Sequence, residues 1–596
     1  NALTANTTAS NNVAVGKDAL AAHTTGTRNT AIGNYALDAN TTQSDNTAVG
    51  YSAVGAANAG GQLTGIGGYA LTANTSANRS TALGYYALAA NTTGDDNIAI
   101  GAHCLDANTT GGYNVAMGSH ALGKSNGGQN VAIGYYALEE NTTGNYNVAV
   151  GSEALTNNTT ADDNTALGYK ALYTNSTGTD NTAVGKSALY SNTTANNNVA
   201  VGENALYNNT TGYYNTCVGA NVSQANTTGQ QNVAMGSGAL FTNSTGNYNT
   251  AIGHAALETA TGSSNTAVGQ GALYACTTGQ YNTAVGDRAG DAITTGDYNT
   301  CMGYKALTNA STGSQNTAVG FEAGESVTTS AYQVLMGFRA GSDISTGEGN
   351  VYIGHMAGKQ TTESSHNVAI GRNALTLGTD GIQQNVAIGY AAGYNNTNGD
   401  YNVFIGSHAG NACTSGGYNT FVGRHSGIAI TSGGQNTAIG QVSGAALTTG
   451  GQNTLIGDNA GVVVTTGINN SFLGHYAGGV VTTGGNNLML GVSSGTSSAP
   501  SGAVTTGNNI ACLGNNSISD LYCADTSISS SDARDKTDVE DFKHGLSWIT
   551  ELRPVTYRWD RRSWYTEDEN TKGTPDGSKK RDRLHIGFLA QEAIEV

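Results

Sequence analysis

The chain is poor in charge: only 11% of its 596 residues are Asp, Glu, Lys or Arg. Acidic groups outnumber basic ones, 41 to 24, for a net charge of −17. That balance argues against nucleic acid and anionic membrane surfaces as partners. Proline and tryptophan occur three times each, all at or after Pro500. There are seven cysteines but no Cys-x-x-Cys, so neither a zinc site nor a redox pair is expected, and no metal or cofactor. No apolar run is long enough to cross a bilayer, and no signal peptide is visible. Asn1 already falls inside a repeat, which leads us to expect residues upstream of it. What the chain has in quantity is glycine, 85 residues, spaced periodically and therefore architectural.

The period is seventeen residues. A consensus of roughly Asn-Thr-Ala-Val-Gly-Tyr-x-Ala-Leu-x-x-Asn-Thr-Thr-Gly-x-x begins at Asn12, Asn29 and Asn46 and continues to Asn487, with a looser copy around Ile510. The 475 residues from Asn12 to Asn487 hold 28 intervals, with one-residue slips only at 114→130, 249→265 and 367→385. Such strict self-similarity implies a solenoid, because one coil cannot bury its own apolar face and stacking must build the core. The expected fold is all-β: about thirty coils over residues 1–514, some 4.8 Å apart, giving a shaft of roughly 140 Å. A trimer is expected, since short coils of low charge would expose strand edges and hold little core of their own.

Within a coil, Thr or Val at the second position and Val, Ile, Leu or Met at the fourth give the alternation of a short strand. The Gly at the fifth position (Gly16, Gly33, Gly50) ends it, most simply with φ > 0. An Ala-Leu segment then leads to an Asn-Thr-Thr-Gly corner, with no room for a useful helix. Cys217, Cys301 and Cys512 stand at the third position, and Cys276 and Cys413 at the second Asn, so they read as small buried side chains. The histidines, among them His254, His355 and His475 just after the repeat Gly, read as loop residues and not as ligands.

Two positions vary together. The third residue is Ala, Gly or Cys in all nineteen copies from Asn12 to Asn316. Seven later copies carry Leu335, Tyr352, Phe404, Phe421, Leu455, Phe472 or Met489 there, and each has Gly at the ninth position, Gly341, Gly358, Gly410, Gly427, Gly461, Gly478 and Gly495. Dense interiors allow such an exchange of volume only where two positions share one space. The alternative is two independent lineages of repeat.

Two surface features are candidates for binding. Tyr recurs before the repeat Asn (Tyr113, Tyr146, Tyr281, Tyr298, Tyr401, Tyr418) and after the repeat Gly (Tyr51, Tyr85, Tyr135, Tyr169), where packing between coils is the expectation and stacking on sugars the alternative. Twelve Asn-x-Ser/Thr triplets occupy one repeat position, from Asn6, Asn40 and Asn74 to Asn243. They read as corner residues, or in a eukaryotic host as a row of N-glycans. No paired carboxylates recur and no insertion is long enough for a pocket, so an enzyme acting on an external substrate is not expected. An ice-binding face of stacked Thr is a further, minor alternative.

Beyond residue 515 the text changes. From Ser531 to Val596, 26 of 66 residues are charged, which marks a separate domain of ordinary globular chemistry. We take 515–530 as a connector. The run Ser531-Asp532-Ala533-Arg534-Asp535-Lys536, then Gly545-Leu546, Leu552-Arg553-Pro554-Val555-Thr556-Tyr557-Arg558-Trp559 and His585-Ile586-Gly587-Phe588-Leu589-Ala590-Gln591-Glu592 resembles the intramolecular chaperone auto-processing domain that ends phage endosialidases, tail spikes and tail fibres. The repeat strand Asn-x-Ala-x-Gly also resembles the Ser-Val-Ala-Ile-Gly strand of trimeric autotransporter adhesin heads, β-rolls of shorter period.

The first resemblance implies a small mixed α/β domain that drives trimeric assembly of the β-structured fibre and then cuts itself off. A Ser hydroxyl needs a base, and a Lys with a lowered pKa can serve. Ser531 and Lys536 have the family's dyad spacing, which implies single-turnover cleavage between Ser530 and Ser531, and Asp532, His585 and Gly587 match positions needed for it. Asp532 stands where some members have Asn. Without the resemblance, Ser529-Ser530-Ser531 reads as a flexible linker and Lys536 as a solvated charge. The family domain normally continues past Ala-Gln-Glu into helical segments, so 531–596 is expected to be its N-terminal part. The expected function is a viral, phage-type structural or receptor-binding fibre on a virion or outside the cell, with itself and a host-surface glycan or protein as partners. A bacterial cell-surface adhesin stalk is the alternative.

Overall fold

The structure, a computed structural model, describes residues 1–379, 381–520, 555–558, 578 and 585–587. By internal contacts the chain divides into two units, Asn1–Ser519 and Asp520–Val596. In the first unit each repeat contributes one strand of three residues, from β1 (Val13–Val15) to β30 (Ala511–Leu513). All thirty join in a single parallel sheet. Pairing runs position against like position, Ala14 opposite Ala31, Ala31 opposite Ala48, Ala438 opposite Leu455. Parallel neighbours require a return connection of about a dozen residues or more, and the rest of each repeat supplies it.

That return is a chain of turns, and the described residues contain no helix. Four residues in most coils have positive φ; in the second coil they are Gly33 (139°), Tyr35 (62°), Leu37 (51°) and Asp45 (64°). Only the first demands glycine. A Cβ on Gly33 would stand 2.3 Å from the carbonyl oxygen of Gly50 in the next coil. The other three lie in the left-handed region, which costs an L-residue about 1–2 kcal/mol each. Their amides offset that cost by bonding from coil to coil, Tyr35 N–H to the Lys17 carbonyl at 2.8 Å and Leu37 N–H to the Ala53 carbonyl at 3.1 Å. Backbone hydrogen bonds therefore link the coils through the turns as well as the strands.

The core is one continuous column. Third-position Ala31, eighth-position Ala36 and ninth-position Leu37 are fully buried, as are their counterparts along the shaft. Expected strand edges and a poor private core are corrected here. Lengthwise pairing leaves only β1 and β30 with an unpaired edge in this sheet, and what stays uncovered is the sheet's outer face.

Two asparagine spines run through this column. Asn198 N–H donates to Asn181 Oδ1 at 3.0 Å, and Asn181 N–H to Asn164 Oδ1 at 3.0 Å. The Asn181 amide donates to the Ala195 carbonyl at 2.8 Å and to Asn164 Oδ1 at 3.1 Å. Buried amides are tolerated because their donors and acceptors are met. The spine survives the slips in period, Asn130 to Asn114 at 3.0 Å and Asn385 to Asn367 at 2.9 Å, so the turns absorb the missing or extra residue. It also survives the loose last coil, where Ile510 N–H reaches Asn487 Oδ1 at 2.9 Å across 23 residues.

The volume exchange holds. Phe404 and Phe472 are buried, and a Cβ added to Gly410 or Gly478 would lie 2.4 Å or 2.3 Å from the ring of its own coil's Phe. Tyr352 and Gly358 make the same pair at 2.2 Å. The shared space also extends between coils. Gly393 stands beside a small third residue, Ala387, yet a Cβ there would meet Phe404 of the next coil at 2.7 Å. Gly444 meets Leu447 of its own coil and Leu455 of the next in the same way.

Candidate functional site

The predicted cleavage apparatus falls mostly outside the described residues: Ser530, Ser531, Asp532 and Lys536 all lie there. His585 and Gly587 are the ends of strand β32 (His585–Gly587), which pairs antiparallel with β31 (Val555–Tyr557). The register sets His585 opposite Tyr557 and Gly587 opposite Val555. The two sequence blocks picked out by resemblance, Leu552–Trp559 and His585–Glu592, are thus joined by a strand pairing.

Residues 531–596 match the family described as chaperone of endosialidase. The match begins at Ser531 and spans both strands of the ribbon. A chaperone-of-endosialidase segment after a long β-solenoid fits a protein of the tail-fibre and endosialidase type. No curated protein and no solved structure matches the chain.

On the shaft, the structure rejects the glycan row. Asn40, Asn74, Asn91, Asn108, Asn141 and Asn158 have no exposed surface. Asn91 with Asn108, and Asn141 with Asn158, are linked in the second spine: the Asn158 amide donates to Asn141 Oδ1 at 2.9 Å and to the Ala161 carbonyl at 3.0 Å, and Asn175 repeats the pattern on Asn158 at 3.1 Å. An amide nitrogen committed twice inside a packed core cannot take a sugar in the folded chain. Asn6, in the first turns, is the exposed exception among these positions. His23 replaces Asn at this position and is likewise buried, its Nε2 2.8 Å from the Gly26 carbonyl oxygen, so it is a core residue and not a loop one.

The tyrosine columns are exposed, and their rings stack along the shaft: Tyr281 on Tyr298 at 5.0 Å, Tyr401 on Tyr418 at 4.9 Å. Packing between coils is therefore the observed role. Around the second pair runs an open groove of about 540 Å³ lined by Asp400, Tyr401, Tyr418, Gln435 and Gln452, where Gly417, Gly434 and Gly451 leave the wall bare. The facing sides of Tyr401 and Tyr418 cover one another there.

Titratable groups on the shaft are held structurally. Arg79 donates to both carboxylate oxygens of Asp96 in the next coil, at 2.7 and 2.8 Å, and holds that carboxyl below its usual range. Both side chains are largely solvated, so the pair adds little stability. Burial pushes the thiols of Cys104, Cys217, Cys276 and Cys413 up to about 12. Six cysteines are described, all buried and free, as repeat position implied for Cys217, Cys276, Cys301, Cys413 and Cys512. Among the described residues no cluster of His, Cys, Asp or Glu could hold a metal ion.

Sequence reasoning missed two features of the shaft. The second Asn column was legible only as turn chemistry, because Asn-Thr-Thr-Gly is also a turn signal. The outward set of the strand at the fourth position was read for its periodicity and not for its exposure.

Proposed function

We propose that this chain is the shaft of a homotrimeric, extracellular or virion-borne fibre of phage type, assembled by its C-terminal chaperone, which then severs itself between Ser530 and Ser531. One juxtaposition supports this reading. A solenoid of thirty coils, which must find register along its whole length, is followed directly by a segment matching an endosialidase chaperone. No helix among the described residues is long and apolar enough to cross a membrane. In the cleavage step Ser531 Oγ attacks the Ser530 carbonyl while Lys536 accepts its proton, and the same proton serves the departing amine of Ser531; water then releases the shaft. His585 and Gly587 complete the site.

Intact-mass measurement of the natural full-length protein and of its Ser531→Ala and Lys536→Ala variants tests this. The wild type should split once and both variants should stay whole, because a neutral hydroxyl without a base is a poor nucleophile. The same cut in all three would assign cleavage to an outside protease. The second reading, a bacterial surface adhesin stalk with a glycan or protein receptor, rests on the adhesin-like Asn-x-Ala-x-Gly strand. Locating the protein by immunogold on particles or on a bacterial surface separates the two.

A further inference from the structure

The outer face of the thirty-stranded sheet carries two side chains per coil, at the second and fourth positions, and one column stands out. In all thirty strands the last residue is Val, Ile, Leu or Met, without exception from Val15 to Leu513. These side chains point away from the core, whose side of the sheet belongs to the buried third position. Val15, Ile32, Leu83, Leu167 and Leu473 keep 40% to 57% of their surface open. The column beside it, at the second position, is Thr or Val in most coils and never charged.

Solvent alone would not impose that rule. The corners flanking this face carry Lys17, Asp45, Arg79, Asp96, Lys186 and Glu203, so charge is accepted a few ångströms away on either side. An exposed aliphatic ribbon some 140 Å long amounts to on the order of 10³ Å², above the few hundred Å² that a soluble monomer usually leaves open. An apolar centre with a polar, Tyr-bearing rim is the layout of a buried interface.

We infer that this ribbon is the surface through which copies of the same chain pack, in parallel and coil against like coil, around the axis of the fibre. The inference deepens the homotrimer proposed above and rests on it. A face two side chains wide is too narrow to seat a globular partner, but it matches a second ribbon of the same width. Because the strands are in register, the ribbon is continuous, and every coil adds the same contact. Cyclic closure then lets each chain present one patch to the shared centre. The interior stays as described, since the third and ninth residues are already packed within the chain.

The test uses full-length protein. In a Cys523→Ser background, Leu167→Cys places a thiol on the ribbon, and Thr160→Cys places one on an exposed corner of the preceding coil. A short bismaleimide should join chains through Cys at 167 and not at 160, because only the first meets its own copy. The triple variant Leu83→Lys, Leu167→Lys, Met235→Lys should sediment at one third of the wild-type mass, with the far-UV circular dichroism of a β-fold retained. A wild type that sediments as a monomer would overturn the homotrimer itself. A wild-type trimer in which Cys at 167 stays unlinked would overturn the face assignment alone. The cysteine arm also decides the matter should the lysine variant fail to fold.

Discussion

Replacing Gly410 by Leu should destabilise its coil for reasons of space more than of backbone. The φ of Gly410, 57°, is one that Leu20 and Leu37 adopt at the same repeat position, at 52° and 51°. A Cβ there would stand 2.4 to 2.9 Å from three ring carbons of Phe404, which is fully buried and stacked on Phe421 at 5.6 Å. With Phe421 behind it, the ring cannot withdraw, so we expect an overpacking cost of about 1–3 kcal/mol, with about 1 kcal/mol more for the left-handed Leu. Phe404→Ala alone should cost about 3–5 kcal/mol through the cavity it leaves. The double variant restores the Ala and Leu of the N-terminal coils, so it should be more stable than Phe404→Ala. The coupling is expected to be about 2 kcal/mol. Native-state hydrogen exchange suits the assay, because each coil contacts only its neighbours and opens locally. The Gly410 amide, bonded to the Ser426 carbonyl at 3.0 Å, is the probe. Additivity to within about 0.5 kcal/mol would refute the shared space.

Asn181→Ala should cost about 1–3 kcal/mol and lower protection at Asn198, whose amide loses its acceptor; unchanged exchange there would remove the spine from the stability argument. Gly168→Ala should cost more than any surface change in the shaft, since φ is 138° and the new Cβ would sit 2.6 Å from the Gly185 carbonyl oxygen; a melting temperature within a degree of wild type would contradict the close approach. Cys104, Cys217, Cys276 and Cys413 should resist iodoacetamide at pH 8 until the shaft unfolds, because the thiolate is the reactive form. Their folded pKa lies above the unfolded one, so the stability they contribute is complete below about pH 9 and falls as pH rises towards 12, checked by denaturant midpoints across that range.

How much was legible depends on the kind of signal. Ser531, Asp532, Lys536, His585 and Gly587 carry the cleavage proposal through motif and spacing alone. The pairing of Val555–Tyr557 with His585–Gly587 adds that two distant blocks of that motif are neighbours. The Asn column at 40, 74, 91 and 108 was read rightly as corner residues, as the Ala77 N–H to Asn74 Oδ1 bond at 2.9 Å shows, but a four-residue signal cannot say whether its side chain turns in or out. Burial is a property of the coils above and below it, which hold the acceptors that the amide needs.

The sequence by itself determined the period, the number of coils, the strand and its terminating glycine, and the exchange of volume between third and ninth positions. All of these follow from local backbone chemistry or from one repeat compared with another. Only the tertiary structure decided that the two Asn columns are internal spines, that a Gly such as Gly393 makes room for Phe404 of the next coil, and that the fourth-position aliphatics are left outside. Period two tells that alternate residues face opposite ways. Which of the two faces is the interior depends on how the turns close around the sheet, and that is settled by contacts seventeen residues apart.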